Sequence, residues 1–153
     1  MRLEYRLNSE EEQYPALWNY TNIPVSEVIA RMTCEYFVKD GDTYVVTATA
    51  MDRDGTAVLY VQKEDFLNDP LDHTYSHIGF EIRELQGTDS ILLESKEIWN
   101  HEDILSTLHS DIIYIQKEEQ FIEFSLDSRE IDEDRKCYVY YGTFNGEHRS
   151  SFK

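Results

Sequence analysis

The apolar positions change period along the chain, and the changes mark out its elements. From Pro24 onward, Val25, Val28, Ile29, Met32, Tyr36 and Phe37 recur at three- and four-residue spacing, with Glu27, Arg31 and Glu35 between them. This predicts a principal helix over 24–39, opened by a proline and closed at Gly41, with its apolar stripe on a core. The Glu27–Arg31 and Arg31–Glu35 pairs then occupy its outer face. Next the period drops to that of strands. Residues 44–51 are rich in Val, Thr and Tyr, Asp52-Arg53-Asp54-Gly55 has turn chemistry, and 57–61 is a second apolar run, so a hairpin is expected.

Further along, Ile78, Phe80 and Ile82 alternate with Gly79, Glu81 and Arg83, the pattern of a half-buried strand. Gly87-Thr88-Asp89 turns the chain into 91–98 as its antiparallel partner. Asn100 is placed to cap a short helix over 101–109, with Glu102 and Asp103 in the first turn and Ile104, Leu105 and Leu108 on its apolar face. The last third reads as a meander of strands at 112–116, 120–126 and 136–144, with an acidic connection over 127–134. At the other end, 3–7 suits a short edge strand. The aromatic segment Tyr14, Pro15, Leu17, Trp18 and Tyr20 reads as a loop or single helical turn lying on the core.

Together these elements predict an α+β fold in a single domain over 1–153. Its mainly antiparallel sheet has six to eight strands, and its polar tail, 146–153, frays. The length agrees, because 153 residues suit one core and would leave two marginal. No repeat, low-complexity tract or linker divides the chain.

Charge narrows the possible partners. Thirty-one Asp and Glu against fourteen Lys and Arg give −17. That disfavours nucleic acid and anionic membranes, both of which are held by clustered Lys and Arg. The plain reading of such a surface is solubility alone, with a basic protein partner or mimicry of DNA as the alternatives. No run approaches a membrane span and the N-terminus lacks the apolar stretch of a secretory signal, so a cytoplasmic location is expected. Cys34 and Cys137 are too few for a disulfide scaffold and read as buried free thiols.

Candidate chemistry is sparse. Asp52-x-Asp54-Gly55 fails as a calcium loop: aligning Gly55 with the loop glycine puts Ala50 and Val61 where ligands belong. His73 and His77 stand four apart, with Asp69 and Asp72 as possible oxygen ligands. But Pro70 and the strand that follows argue against the helix such a pair needs, so neither metal nor cofactor is expected. Phosphate-cradling and nucleophile-elbow motifs are absent, and six glycines leave little material for either. Carboxylates are so abundant that no acid–base pair stands out.

The leading expectation is therefore a non-enzymatic protein-binding module of the inhibitor, immunity or adaptor type. Its acidic and aromatic surface is expected to comprise Asp127, Glu130, Asp132, Glu133 and Asp134 with Tyr138, Tyr140 and Tyr141. The alternatives are a ligand-binding or enzymatic pocket under the Tyr14–Tyr20 segment walled by Trp18, His73 or His77, and a DNA mimic.

Overall fold

The protein is described by a computed structural model covering residues 1–65 and 73–144. Its strands, in chain order, are β1 (Leu3–Leu7), β2 (Ala16–Tyr20), β3 (Tyr36–Lys39), β4 (Asp42–Met51), β5 (Ala57–Lys63), β6 (Ile78–Gln86), β7 (Asp89–Ile98), β8 (Ile112–Lys117), β9 (Gln120–Asp132) and β10 (Cys137–Phe144). Helix α1 spans Val25–Thr33, and a 3-10 turn, His101–Ile104, runs into the short helix α2, Leu105–His109. All ten strands join one sheet in the order β2-β1-β5-β4-β3-β9-β10-β6-β7, with β8 paired to β9 off that path.

The fold is mixed α and β as expected, with more strands than the six to eight predicted. The sheet itself is mixed: β1 with β5, β3 with β9, and β10 with β6 pair in parallel. These three pairings join segments distant in sequence, so no local turn signal announces them.

The sheet curves enough for strands three and four places apart in it to touch. Tyr5 on β1 stacks on Phe37 of β3 with ring centroids 4.0 Å apart, and Trp18 of β2 meets Phe37 at 5.4 Å and Tyr44 at 5.2 Å. One core fills the concave side, with Leu3, Tyr5, Phe37, Leu59, Phe124, Tyr138 and Tyr140 all buried together with Val28, Ile104 and Leu108 from the helical pieces. Such aromatic packing yields more than area burial alone, because edge-to-face and offset ring pairs attract through their quadrupoles.

Several expectations are corrected. The helix stops at Thr33 and does not reach Lys39, because Phe37 and Val38 are buried as a strand between β4 and β9. Asp40-Gly41, both at positive φ, form the tight β3–β4 hairpin turn, so Gly41 serves a hairpin and not a helix end. The inward face of the helix is also rotated from the predicted stripe, although Val28 is buried as expected. Arg31 is buried, whereas Val25 and Ile29 are exposed. Residues 3–7 are no edge: β1 lies between β2 and β5, and the aromatic segment supplies β2, the true edge strand. Finally, the acidic connection begins as strand: β9 continues to Asp132, with a bulge at Asp127, and only Glu133–Lys136 turns.

The hairpin turn at Asp52–Gly55 and the short helix after Asn100 match expectation, with the Asn100 side chain accepting from the Asp103 N–H at 3.2 Å. No helix among the described residues is long and apolar enough to cross a membrane. The expected turn at Asn68-Asp69-Pro70, the candidate ligands Asp69 and Asp72, and the expected fraying of 146–153 lie outside the described residues.

Candidate functional site

The feature that sets this sheet apart is an interruption beside β3. Strand β10 runs along one edge of β9 from Phe124 to Asp132. On the opposite edge, β3 pairs with Glu130–Asp132 while β8 pairs with Gln120–Ser125, so β3 and β8 share one side of β9. Strand β4 pairs with four-residue β3 only through residues 42–45. Beyond that point it runs on past the end of β3. β3 and β8 thus leave a gap between them on that side of β9, beside residues 47–51 of β4, and among the described residues neither that stretch of β4 nor the outer edge of β8 pairs with a further strand there.

Backbone direction on β4 follows from its neighbour. The Ala57 N–H donates to the Arg2 carbonyl at 3.0 Å and the Val61 carbonyl accepts from Asn8 at 2.8 Å, so Ala57, Leu59 and Val61 turn toward β1. Val58 and Tyr60, out of phase with them, turn toward β4 and face Ala50 and Ala48. Thr49 and Met51 consequently direct N–H and C=O away from β5 and into the gap. Val46 is the last residue engaged on that side, donating to the Glu35 carbonyl at 2.8 Å.

The gap has chemical character. Its β4 wall, Thr47-Ala48-Thr49-Ala50-Met51, carries no charge, and Met51 is exposed. On β8, Ile112 and Tyr114 are exposed on one face while Ile115 is buried on the other, and Phe121 on β9 is exposed on the same face as Ile112 and Tyr114. Where β4 leaves β3, a shallow groove of about 250 Å³ is lined by Met32, Thr33, Cys34 and Glu35 on one side and Val46–Thr49 on the other. The Cys34 thiol is buried and its pKa is pushed up by desolvation, which keeps it protonated and unreactive.

The predicted acidic and aromatic residues are brought together, but mostly indoors. Glu130, Asp132, Tyr138 and Tyr140 are buried, and Tyr141 is half-buried. Tyr138 and Tyr140 point into the main core. Glu130 and Asp132 lie on the opposite face of β9 in a buried charge network. There Glu81, wholly enclosed, accepts from Tyr75 (2.6 Å), Arg83 (2.6 Å) and Arg135 (3.0 Å), and Asp132 accepts from Arg135 at 2.8 Å. Glu130 accepts from Tyr141 at 3.1 Å. Desolvation, with Asp132 nearby, pushes its pKa up to about 7. Glu133 is half-buried in a second network around Arg31. Of the acidic set, only Asp127 and Asp134 are exposed, and Asp134 is spent accepting the Asp40 and Gly41 N–H groups at 2.8 and 2.9 Å. The exposed surface expected of these residues is therefore corrected, because the strand alternation that continues through Asp132 turns alternate carboxylates inward.

The alternative pocket residues are not assembled. Trp18 covers the core on β2, whereas His73 and His77, both exposed, lie against Tyr75 and Trp99 beside β6, near the far end of the strand order. Among the described residues no three His, Cys, Asp or Glu side chains group so as to hold a metal ion. No family model, no curated protein and no solved structure matches this chain.

Proposed function

We propose that this chain is a protein-binding module of the inhibitor, immunity or adaptor type, and that it engages its partner with the face that opens between β4 and β8. The observation that supports this most is the chemistry of its edges. A sheet edge is a template for further pairing, and soluble proteins commonly guard it with charge. Strand β7, at one end of the sheet, follows that rule with Glu94, Lys96 and Glu97. In a chain of net charge −17, the β4 edge has no charge at all and β8 offers exposed Ile112 and Tyr114. Uncharged edges rimmed by apolar side chains are what a partner can desolvate.

The test is affinity capture from the source cell with the full chain as bait, run beside the double variant Ile112→Glu plus Tyr114→Glu. Wild type retains a specific partner and the variant loses it while keeping its circular dichroism and melting midpoint. Equal retention by a folded variant would remove this face from consideration.

A further inference from the structure

We infer that the gap takes an extended, Lys- or Arg-bearing segment of a partner protein as an added strand on residues 47–51 of β4. This rests on the binding role proposed above and specifies its mode. The backbone supplies the first argument. Thr49 and Met51 present N–H and C=O at the alternate-residue spacing that an incoming strand requires, with nothing in the described residues paired to them as a strand. Space supplies the second. β3 begins only at Tyr36, and where it would have to extend to cover the rest of β4 the chain lies back as Met32–Glu35, leaving a groove between those residues and Val46–Thr49.

Charge selects the occupant. Burial raises the pKa of Tyr36, the first residue of β3, and Glu64, Asp127 and Glu35 raise it further by adding negative potential around the phenol. Asp52 and Asp54 sit at the far tip of the β4–β5 hairpin, and Asp111 precedes β8 with a 93% exposed side chain. Arg129, which donates to the Thr33 carbonyl at 3.3 Å, is already held by Glu35 through its backbone N–H (2.8 Å) and its guanidinium (3.8 Å) and lies 4.0 Å from Asp111. A second copy of the chain would bring the same carboxylates against these, whereas a basic segment would meet them favourably. The groove at Met32, Val46 and Glu35 suits one long basic side chain, its stem against the methionine and valine and its head toward the carboxylate.

The experiment selects binders from a fully random ten-residue displayed peptide library on the immobilised full chain. Recovered peptides are then measured against Thr49→Pro, which removes an N–H that β5 does not use and which an edge position tolerates. Met51→Pro is the second such variant, should the first not fold, and Ala50→Pro, on the β5 side, is the destabilised control. The expected result is enrichment of Lys- or Arg-bearing, proline-poor sequences whose affinity drops at least about tenfold on Thr49→Pro. Peptides that weaken on Ile112→Glu plus Tyr114→Glu but not on Thr49→Pro would overturn strand addition while leaving the binding face in place. Indifference to both sets of variants would overturn the two together. Enrichment of acidic or proline-rich sequences, or of none, would overturn the inference. So would a wild-type chain that sediments as a dimer and becomes monomeric on Thr49→Pro, because the occupant would then be a second copy.

Discussion

Two charge networks are buried in this protein, and they are built to opposite balances. Around Arg31 the guanidinium donates to Glu27 (2.9 Å), Tyr5 (3.2 Å) and Glu133 (2.8 Å) and lies 4.4 Å over the Tyr20 ring. Lys39 adds a second cation at 3.0 Å from Glu133, so two carboxylates meet two cations. Glu27 also lies 3.1 Å from His101 Nε2, and the other ring nitrogen of His101 shares a 2.7 Å hydrogen bond with the Tyr138 hydroxyl. On the opposite face of the sheet, Glu81, Glu130 and Asp132 have, among the described residues, only Arg83 and Arg135 as buried cations beside them. Although burial raises every one of these carboxyls, cations and hydrogen bonds outweigh it at Glu27, Glu133 and Glu81, whose pKa values are lowered. At Glu130 and Asp132 burial wins and both are raised. A matched network fastens elements together, whereas a surplus carboxylate stores a cost that a proton can relieve.

The largest effect should come from breaking the matched network. Arg31→Ala strands Glu27 and Glu133 without their shared guanidinium and severs α1 from β1 and the β9–β10 turn. Urea unfolding at pH 7 should show a loss of about 3–5 kcal/mol, the usual cost of leaving buried charges unpaired. A loss under 1 kcal/mol would mean that the network is solvated and carries little.

The surplus network should respond with the opposite sign. Glu130 has its folded pKa raised from 4.5 to about 7, so between those values the native state holds a proton that the unfolded chain has released. Stability contributed by this group is present below about pH 4.5 and is lost as pH rises through 7. Glu130→Gln keeps an acceptor for Tyr141 without the charge. It should therefore stabilise the protein at pH 8 by about 1–2 kcal/mol and flatten the fall in stability between pH 4.5 and 7. Conversely, Glu27, Glu133 and Glu81 contribute stability above their unfolded pKa that fades in stronger acid, so the wild type should be most stable in mildly acidic solution. A destabilised Glu130→Gln would show that the carboxylate is matched after all.

Asp134, outside both networks, should matter least. It accepts two hydrogen bonds from the β3–β4 turn while exposed to water, and Asp134→Ala should cost about 1 kcal/mol by the same urea assay. A larger loss would place the turn among the determinants of the fold.

The sequence by itself determined the elements whose causes are local. Alternation through Ile78, Phe80 and Ile82, the turn at Asp52–Gly55 and the Asn100 cap each rest on residues within a few positions of one another, and each stands in the structure. Asp40-Gly41 was equally legible as a hairpin turn, but the helical spacing ahead of it suggested a cap instead. Which face of α1 turns inward was not local. Arg31 enters the core because Glu133, more than a hundred residues away, comes to meet it, and its pairing leaves Val25 and Ile29 outside. The burial of Glu130 and Asp132 likewise required Arg83 on β6 and Arg135 in the turn between β9 and β10 to make it tolerable. The neutral run 47–51 was readable as strand, yet its open edge was not. An edge exists only by virtue of which strand comes next in space, and here a four-residue β3, set in parallel against β9, leaves the rest of β4 without a strand on that side among the described residues. Period and turn chemistry act over a few residues, whereas parallel pairing and charge matching act across the chain, so they were decided only when the sheet closed around them.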